Sequence, residues 1–86
     1  MAKEHVVDQK GKTFIPGSLE VKVGDTLVFK NSDSFAHNAF YDDGANAFDI
    51  EMQKPGQDIR VQMKEKGTVE VECAIHPNML LTVEVK

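Results

Sequence analysis

Thr68-Val69-Glu70-Val71-Glu72-Cys73-Ala74-Ile75-His76-Pro77-Asn78-Met79-Leu80-Leu81-Thr82-Val83-Glu84-Val85 holds two alternating runs on either side of a short interruption. Val69, Val71 and Cys73 share one parity against Glu70 and Glu72, while Leu81, Val83 and Val85 share one against Thr82, Glu84 and Lys86. A period of two sends successive side chains to opposite faces, so each run is a strand with one wet face and one to bury. Cys73 then points inward at the end of the first strand, and Pro77 and Met79 lie in the turn that leads to the second.

The same pattern extends outward along the chain. Ile59, Val61 and Met63 alternate with Arg60 and Gln62 before the polar turn Lys64-Glu65-Lys66-Gly67. Leu19-Glu20-Val21-Lys22-Val23 and Thr26-Leu27-Val28-Phe29-Lys30 flank Gly24-Asp25, and a hairpin is the simplest reading. Val6-Val7 belongs to an early strand, and Phe14-Ile15 continues that edge until Pro16-Gly17 turns the chain. Ala36 to Tyr41 is a further strand candidate with His37 near its start. Between Asp42 and Gln53, Phe48, Ile50 and Met52 align on a strand, whereas Ala45, Phe48 and Met52 align on a short helix; the nearby Pro55-Gly56 favours the strand.

Seven or eight short strands in 86 residues, with no amphipathic helix to cover them, predict an all-β sandwich or barrel formed by one domain, residues 1–86. Hydrophobic residues at 41% and charged ones at 28% fit a folded chain, and no segment is long and apolar enough to span a membrane. The formal charge of -4 comes without a basic cluster, which argues against nucleic-acid binding. One cysteine excludes an internal disulfide. Met1-Ala2-Lys3-Glu4-His5 lacks the apolar run of an export signal, which predicts either a chain that stays in the cytoplasm or a mature form with a new start.

Four residues carry chemistry of interest: His37, Cys73, His76 and Met79. Taken singly, each has an ordinary reading: a buried small hydrophobe for Cys73, a core or loop side chain for Met79, a satisfied core or turn residue for either histidine. Together, a Cys-x-x-His-x-x-Met turn can bend three donors toward one point while a histidine from another strand closes the site. One thiolate, two imidazoles and a thioether form a set that suits copper in an electron-transfer site and poorly match a Cys-rich structural zinc site. Asp42 and Asp43 are adjacent, and no nucleophile-base constellation points to an enzyme.

The early histidine followed by Asn38, the cysteine-to-methionine turn and the closing strand resemble the cupredoxins, the small blue copper proteins, in their amicyanin, plastocyanin and pseudoazurin branch. The resemblance covers most of the chain, and the spacing from Cys73 to His76 with Pro77 behind it is most similar to amicyanin. It implies a Greek-key β-sandwich with one copper ion per chain, held by His37, Cys73 and His76 with Met79 as a distant axial ligand. It further implies a monomeric one-electron carrier cycling between Cu(I) and Cu(II), not an enzyme, that meets redox donor and acceptor proteins transiently near His76. The alternative is a copper-binding or copper-delivery domain with the same donors. Asn38 is expected to tie its strand to the cysteine turn, and Pro16, Pro77 and Leu80 to supply apolar docking surface. A periplasmic or other extracytoplasmic location follows from the same resemblance. Glu72, Ala74 and Leu80-Leu81 depart from the familiar pattern, and bear on tuning and docking rather than on the ligand set.

Overall fold

The computed structural model describes residues 2–86. Along them run β1 (Glu4–Gln9), β2 (Phe14–Ile15), β3 (Ser18–Val21), β4 (Thr26–Asn31), β5 (Phe40–Tyr41), β6 (Phe48–Asp49), β7 (Asp58–Gln62), β8 (Gly67–Glu72) and β9 (Leu80–Val85). β8 and β9 pair antiparallel from Gly67 opposite Val85 to Glu72 opposite Leu80. The expected parity is observed: Val69, Val71, Leu81, Val83 and Val85 are buried, while Glu70 and Glu72 face solvent. β9 lies parallel to β3, and β8 continues through β5 to β6, giving one five-stranded sheet ordered β3-β9-β8-β5-β6. The other sheet is ordered β2-β1-β4-β7, with β1 parallel to β4 and β7 antiparallel to it.

The result is an all-β, two-sheet sandwich of Greek-key type, its inner faces closing on Val7, Leu27, Phe29, Val71, Leu81 and Val83. Among the described residues nine strands form where seven or eight were expected, because Phe14–Ile15 does not continue β1 but pairs back on it antiparallel as β2, while the stretch around residues 40–53 keeps two short strands. There a 3-10 turn, Gly44–Asn46, separates β5 from β6, and Asn46 spans the corner by accepting from the N–H groups of Lys64 and Glu65. The expected strand over Ala36–Tyr41 shrinks to Phe40–Tyr41 plus an isolated bridge between His37 and Gln53. Phe48 and Ile50 are half-buried as the strand reading requires, but Met52 is 63% exposed. Glu51, at φ 61°, turns the backbone before it and breaks the alternation.

The expected Leu19–Val23/Thr26–Lys30 hairpin is absent. β3 and β4 belong to different sheets, and Gly24-Asp25 is the corner between them. Gly24, at φ +94°, donates its N–H to the Met63 carbonyl beside β7, whereas Val23 donates to the Lys86 carbonyl beyond β9. Leu27, Val28 and Phe29 are all buried, as suits an inner strand flanked by β1 and β7, and not the one-sided strand of a hairpin.

Asp25 fastens this corner. Its carboxylate, 4% exposed, accepts from the backbone N–H of Lys22 and of Lys3, both at 3.0 Å, and pairs with His5 Nε2 at 2.8 Å. The Lys22 N–H first, then the His5 ring and the Lys3 N–H, hold its carboxyl well below the usual carboxylate range. A pKa depressed by folding contributes stability above the unfolded value, about 3.9 for Asp, and that contribution is lost as pH falls toward the folded value. Asp25→Asn is therefore expected to be less stable than the parent at pH 7 and to lose less on acidification below about pH 4. Urea unfolding at the two pH values checks this, and parallel losses in both chains would contradict it.

Candidate metal centre

Cys73 follows the last residue of β8 and keeps its inward parity, with 2% of its surface exposed. The chain then reverses through His76-Pro77-Asn78-Met79, closed by the Met79 N–H on the His76 carbonyl at 3.0 Å. Proline suits the second position of such a turn because its ring presets φ. The reversal leaves His76 half-exposed and returns Met79 to the interior at 1% exposure, in the same core cluster as Cys73.

His37 arrives from the opposite side. Its backbone bridges Gln53 in both directions, at 3.0 and 2.7 Å. Gln53 is itself fully buried, accepting from Gln9 Nε2 at 2.6 Å and donating to the Phe29 carbonyl at 2.9 Å. Asn31 Nδ2 adds bonds to the carbonyls of Phe35 and Gln53. These amides answer backbone groups that the short strands leave unpaired, and so fix the segment that carries His37.

The structure brings His37, Cys73 and His76 together, with one donor atom of each within 4.8 Å of the others. Cys73 Sγ stands 3.9 Å from His76 Nδ1, and the two imidazole centroids are 4.9 Å apart. The His37 ring, 0% exposed, has its Nε2 on Asp33 Oδ2 at 2.6 Å. Burial works against the Asp33 charge, but the His37 ring and the N–H groups of Gly11 and Lys12 outweigh it and hold the carboxyl below its ordinary range. An ionised Asp33 makes Nε2 the protonated nitrogen. That leaves His37 Nδ1 as a buried lone pair with no hydrogen-bond partner among the described residues. A buried acceptor left unpaired calls for an explanation, and a metal ion met by a thiol and a second imidazole supplies one. The donors present therefore fit a soft-to-borderline ion such as copper.

Asn38 makes the expected tie. Its Oδ1 accepts from the Ala74 N–H at 3.1 Å, and its backbone N–H points at Cys73 Sγ at 3.4 Å. Its Nδ2 donates to Asp49 Oδ1 and to the Glu51 carbonyl, at 2.8 and 3.0 Å. His76 titrates below the ordinary histidine value, because of desolvation first and then the charges of His37 and Lys12, with Asp33 opposing. Phe35 lies against both rings, 5.2 Å from His37 and 5.4 Å from His76 between centroids. Glu72 faces solvent, and Pro16, Pro77 and Leu80 are all exposed. Sequence reasoning missed Asp33 and Gln53: Asp33 stands four positions before His37 outside any helix, and nothing in the sequence marks Gln53 as buried.

Residues 2–86 match the copper binding proteins of the plastocyanin/azurin family. Plastocyanin of Vicia faba is 38% identical over 77 residues, 77% of this chain and 78% of that protein. The chloroplastic plastocyanin of Fritillaria agrestis is 38% identical over 74 residues, 73% of this chain but only 45% of its own length. A reduced mutant of amicyanin superposes with a TM-score of 0.87 at 32% identity, over 95% of this chain and 81% of amicyanin. The Cu-containing nitrite reductase of Thermus scotoductus SA-01 superposes with a TM-score of 0.86 at 29% identity, over 94% of this chain and 22% of the reductase.

Proposed function

The chain belongs to the plastocyanin/azurin family of copper-binding proteins, and on that premise we propose that it is a one-electron carrier that transforms no substrate. The observation that carries this reading is the buried, unpartnered Nδ1 of His37 beside the Cys73 thiol and the His76 ring. Bound copper would supply a Cu(I)/Cu(II) couple. Solved structures of amicyanin, a relative matched over four-fifths of its length, include a reduced Cu(I) form and an oxidised state.

The chain's own residues would do the rest. Cys73 would give a thiolate, His37 Nδ1 and His76 neutral nitrogens, and Met79 a weak thioether donor. Asp33 fixes the His37 tautomer, and the Asn38 N–H holds part of the sulfur's charge. Burial of His37, Cys73 and Met79 keeps water out, while the half-exposed His76 is the edge through which electrons leave. The donors sit on a turn and on an irregular segment bridged to Gln53 and tied to the turn by Asn38, so they need little rearrangement when the charge changes. Residues 1–86 would act as one monomeric domain outside the cytoplasm, meeting its donor and acceptor proteins in brief contacts around His76, with the exposed Pro77, Pro16 and Leu80 offering apolar docking surface.

One equivalent of Cu(II) is expected to produce an intense band at about 600 nm that a one-electron reductant bleaches and reoxidation restores. Rapid loss of copper to a chelator, with no fast electron self-exchange, would assign the chain to copper delivery instead.

A further inference from the structure

We propose that the face around His76 docks a protein partner that presents carboxylates, received by Lys12, although the chain itself carries a charge of -4. This rests on the electron-carrier reading above and names the partner's chemistry at that same face. Lys12 lines a shallow hollow with Ile75, His76, Pro77 and Asn78, none of them acidic. Its Nζ lies 5.8 Å from the centroid of Phe35, the ring that packs edge-on against His76. Among the described residues Lys30, Arg60 and Lys86 pair with Asp58, Glu4 and Glu20, whereas Lys12, like the remaining lysines, has no ion pair; what sets it apart is its place beside Phe35 and His76. Asp33 spends its oxygens on His37 and on the backbone N–H groups of Gly11 and Lys12.

The backbone beneath this cation is built to hold it. Gly11 and Lys12 stand consecutively in the left-handed region, at φ 63° and 57°. Glycine accepts that conformation freely, whereas for lysine it is unfavourable and persists only when its surroundings impose it. Asp33 imposes it, binding the two N–H groups at 2.8 and 3.2 Å with the same carboxylate that orients His37. Phe35 and Ile75 around Lys12 are 39% and 43% exposed, so an arriving carboxylate would meet one cation in a largely apolar setting, where the pair is poorly screened. A second copy of this chain is a poor occupant, since a two-fold contact would set Lys12 against Lys12 between two chains of charge -4.

The test oxidises the reduced, copper-loaded chain with two one-electron reagents of opposite charge, hexacyanoferrate(III) and tris(phenanthroline)cobalt(III), at about 0.1 M salt. There charges beyond about 10 Å are screened and the local cation dominates. In each case the centre loses one electron, Cu(I) to Cu(II), and the reagent gains it, Fe(III) to Fe(II) or Co(III) to Co(II). Lys12→Gln is expected to slow the anionic reagent about threefold or more and to leave the cationic one unchanged or faster, while Lys12→Arg keeps the parent's behaviour. Equal changes with both reagents, or no change with either, would overturn the proposal. So would concentration-dependent self-association of the parent that Lys12→Gln alters, which would give this face to a second copy. A loaded parent without the band at about 600 nm would instead remove the carrier reading, and this proposal with it.

Discussion

Cys73→Ser is expected to abolish the intense band at about 600 nm, because that absorption arises from charge transfer between a thiolate and copper and a hydroxyl is too hard and too weakly acidic to replace the sulfur. The effect should be near-complete, since the chain has one cysteine and no other thiolate can take its place. Folding should survive, because serine fits the space at the end of β8 and the pairing of β8 with β9 ends at Glu72, before the substituted residue. Visible absorption of the copper-titrated variant, with far-UV circular dichroism as the folding control, decides the matter. A folded variant that kept the band would remove Cys73 from the ligand set.

Phe29→Ala is expected to destabilise the fold by about 3–5 kcal/mol, the usual range for emptying the space of a buried aromatic ring. Phe29 is 0% exposed on the inner strand β4, with Phe14 at 6.3 Å and Phe48 at 5.8 Å between centroids, so two other strands, β2 and β6, pack on its ring. Its carbonyl also receives the Gln53 side chain that helps carry His37. Domains of this kind have about 5–15 kcal/mol in total, so the variant should sit close to unfolding at 37 °C. Urea denaturation measures the loss; a change below about 1 kcal/mol would mean that the core does not centre on this ring.

The strands that frame the metal turn were legible because their burial is local. In β8 and β9 every second residue meets the core, and the parity that places Val69 and Val71 inward also carries Cys73 inward at the strand's end. The turn was legible because a thiol, an imidazole, a proline and a thioether at successive spacings of three, one and two have few structural reasons to stand together. What the sequence obscured depends on non-local pairing. Gly24-Asp25 carries the composition of a hairpin turn, and only the partners of Gly24 and Val23, at the ends of strands in two different sheets, make it a corner. The run Leu27-Val28-Phe29 was the clue, since three consecutive buried residues suit an inner strand and not the half-wet strand of a hairpin.

Polar burial was equally hidden. Gln53, Asn31 and Gln9 read as ordinary surface side chains until the irregular segment around His37 is seen to lack backbone partners that their amides then supply. Asp33 likewise acquires its role only when the fold sets it against a histidine ring and a hairpin tip at once. Asn38 differs, because family resemblance anticipated the bond that its side chain makes to the cysteine turn.

A crystal structure of the copper-loaded chain tests the central claim most directly. The account predicts one ion bonded to Cys73 Sγ, His37 Nδ1 and a ring nitrogen of His76, with Met79 Sδ as a longer fourth contact and Asp33 still bound to His37 Nε2. Copper seated elsewhere, or seated here without the sulfur of Cys73 among its ligands, would contradict it.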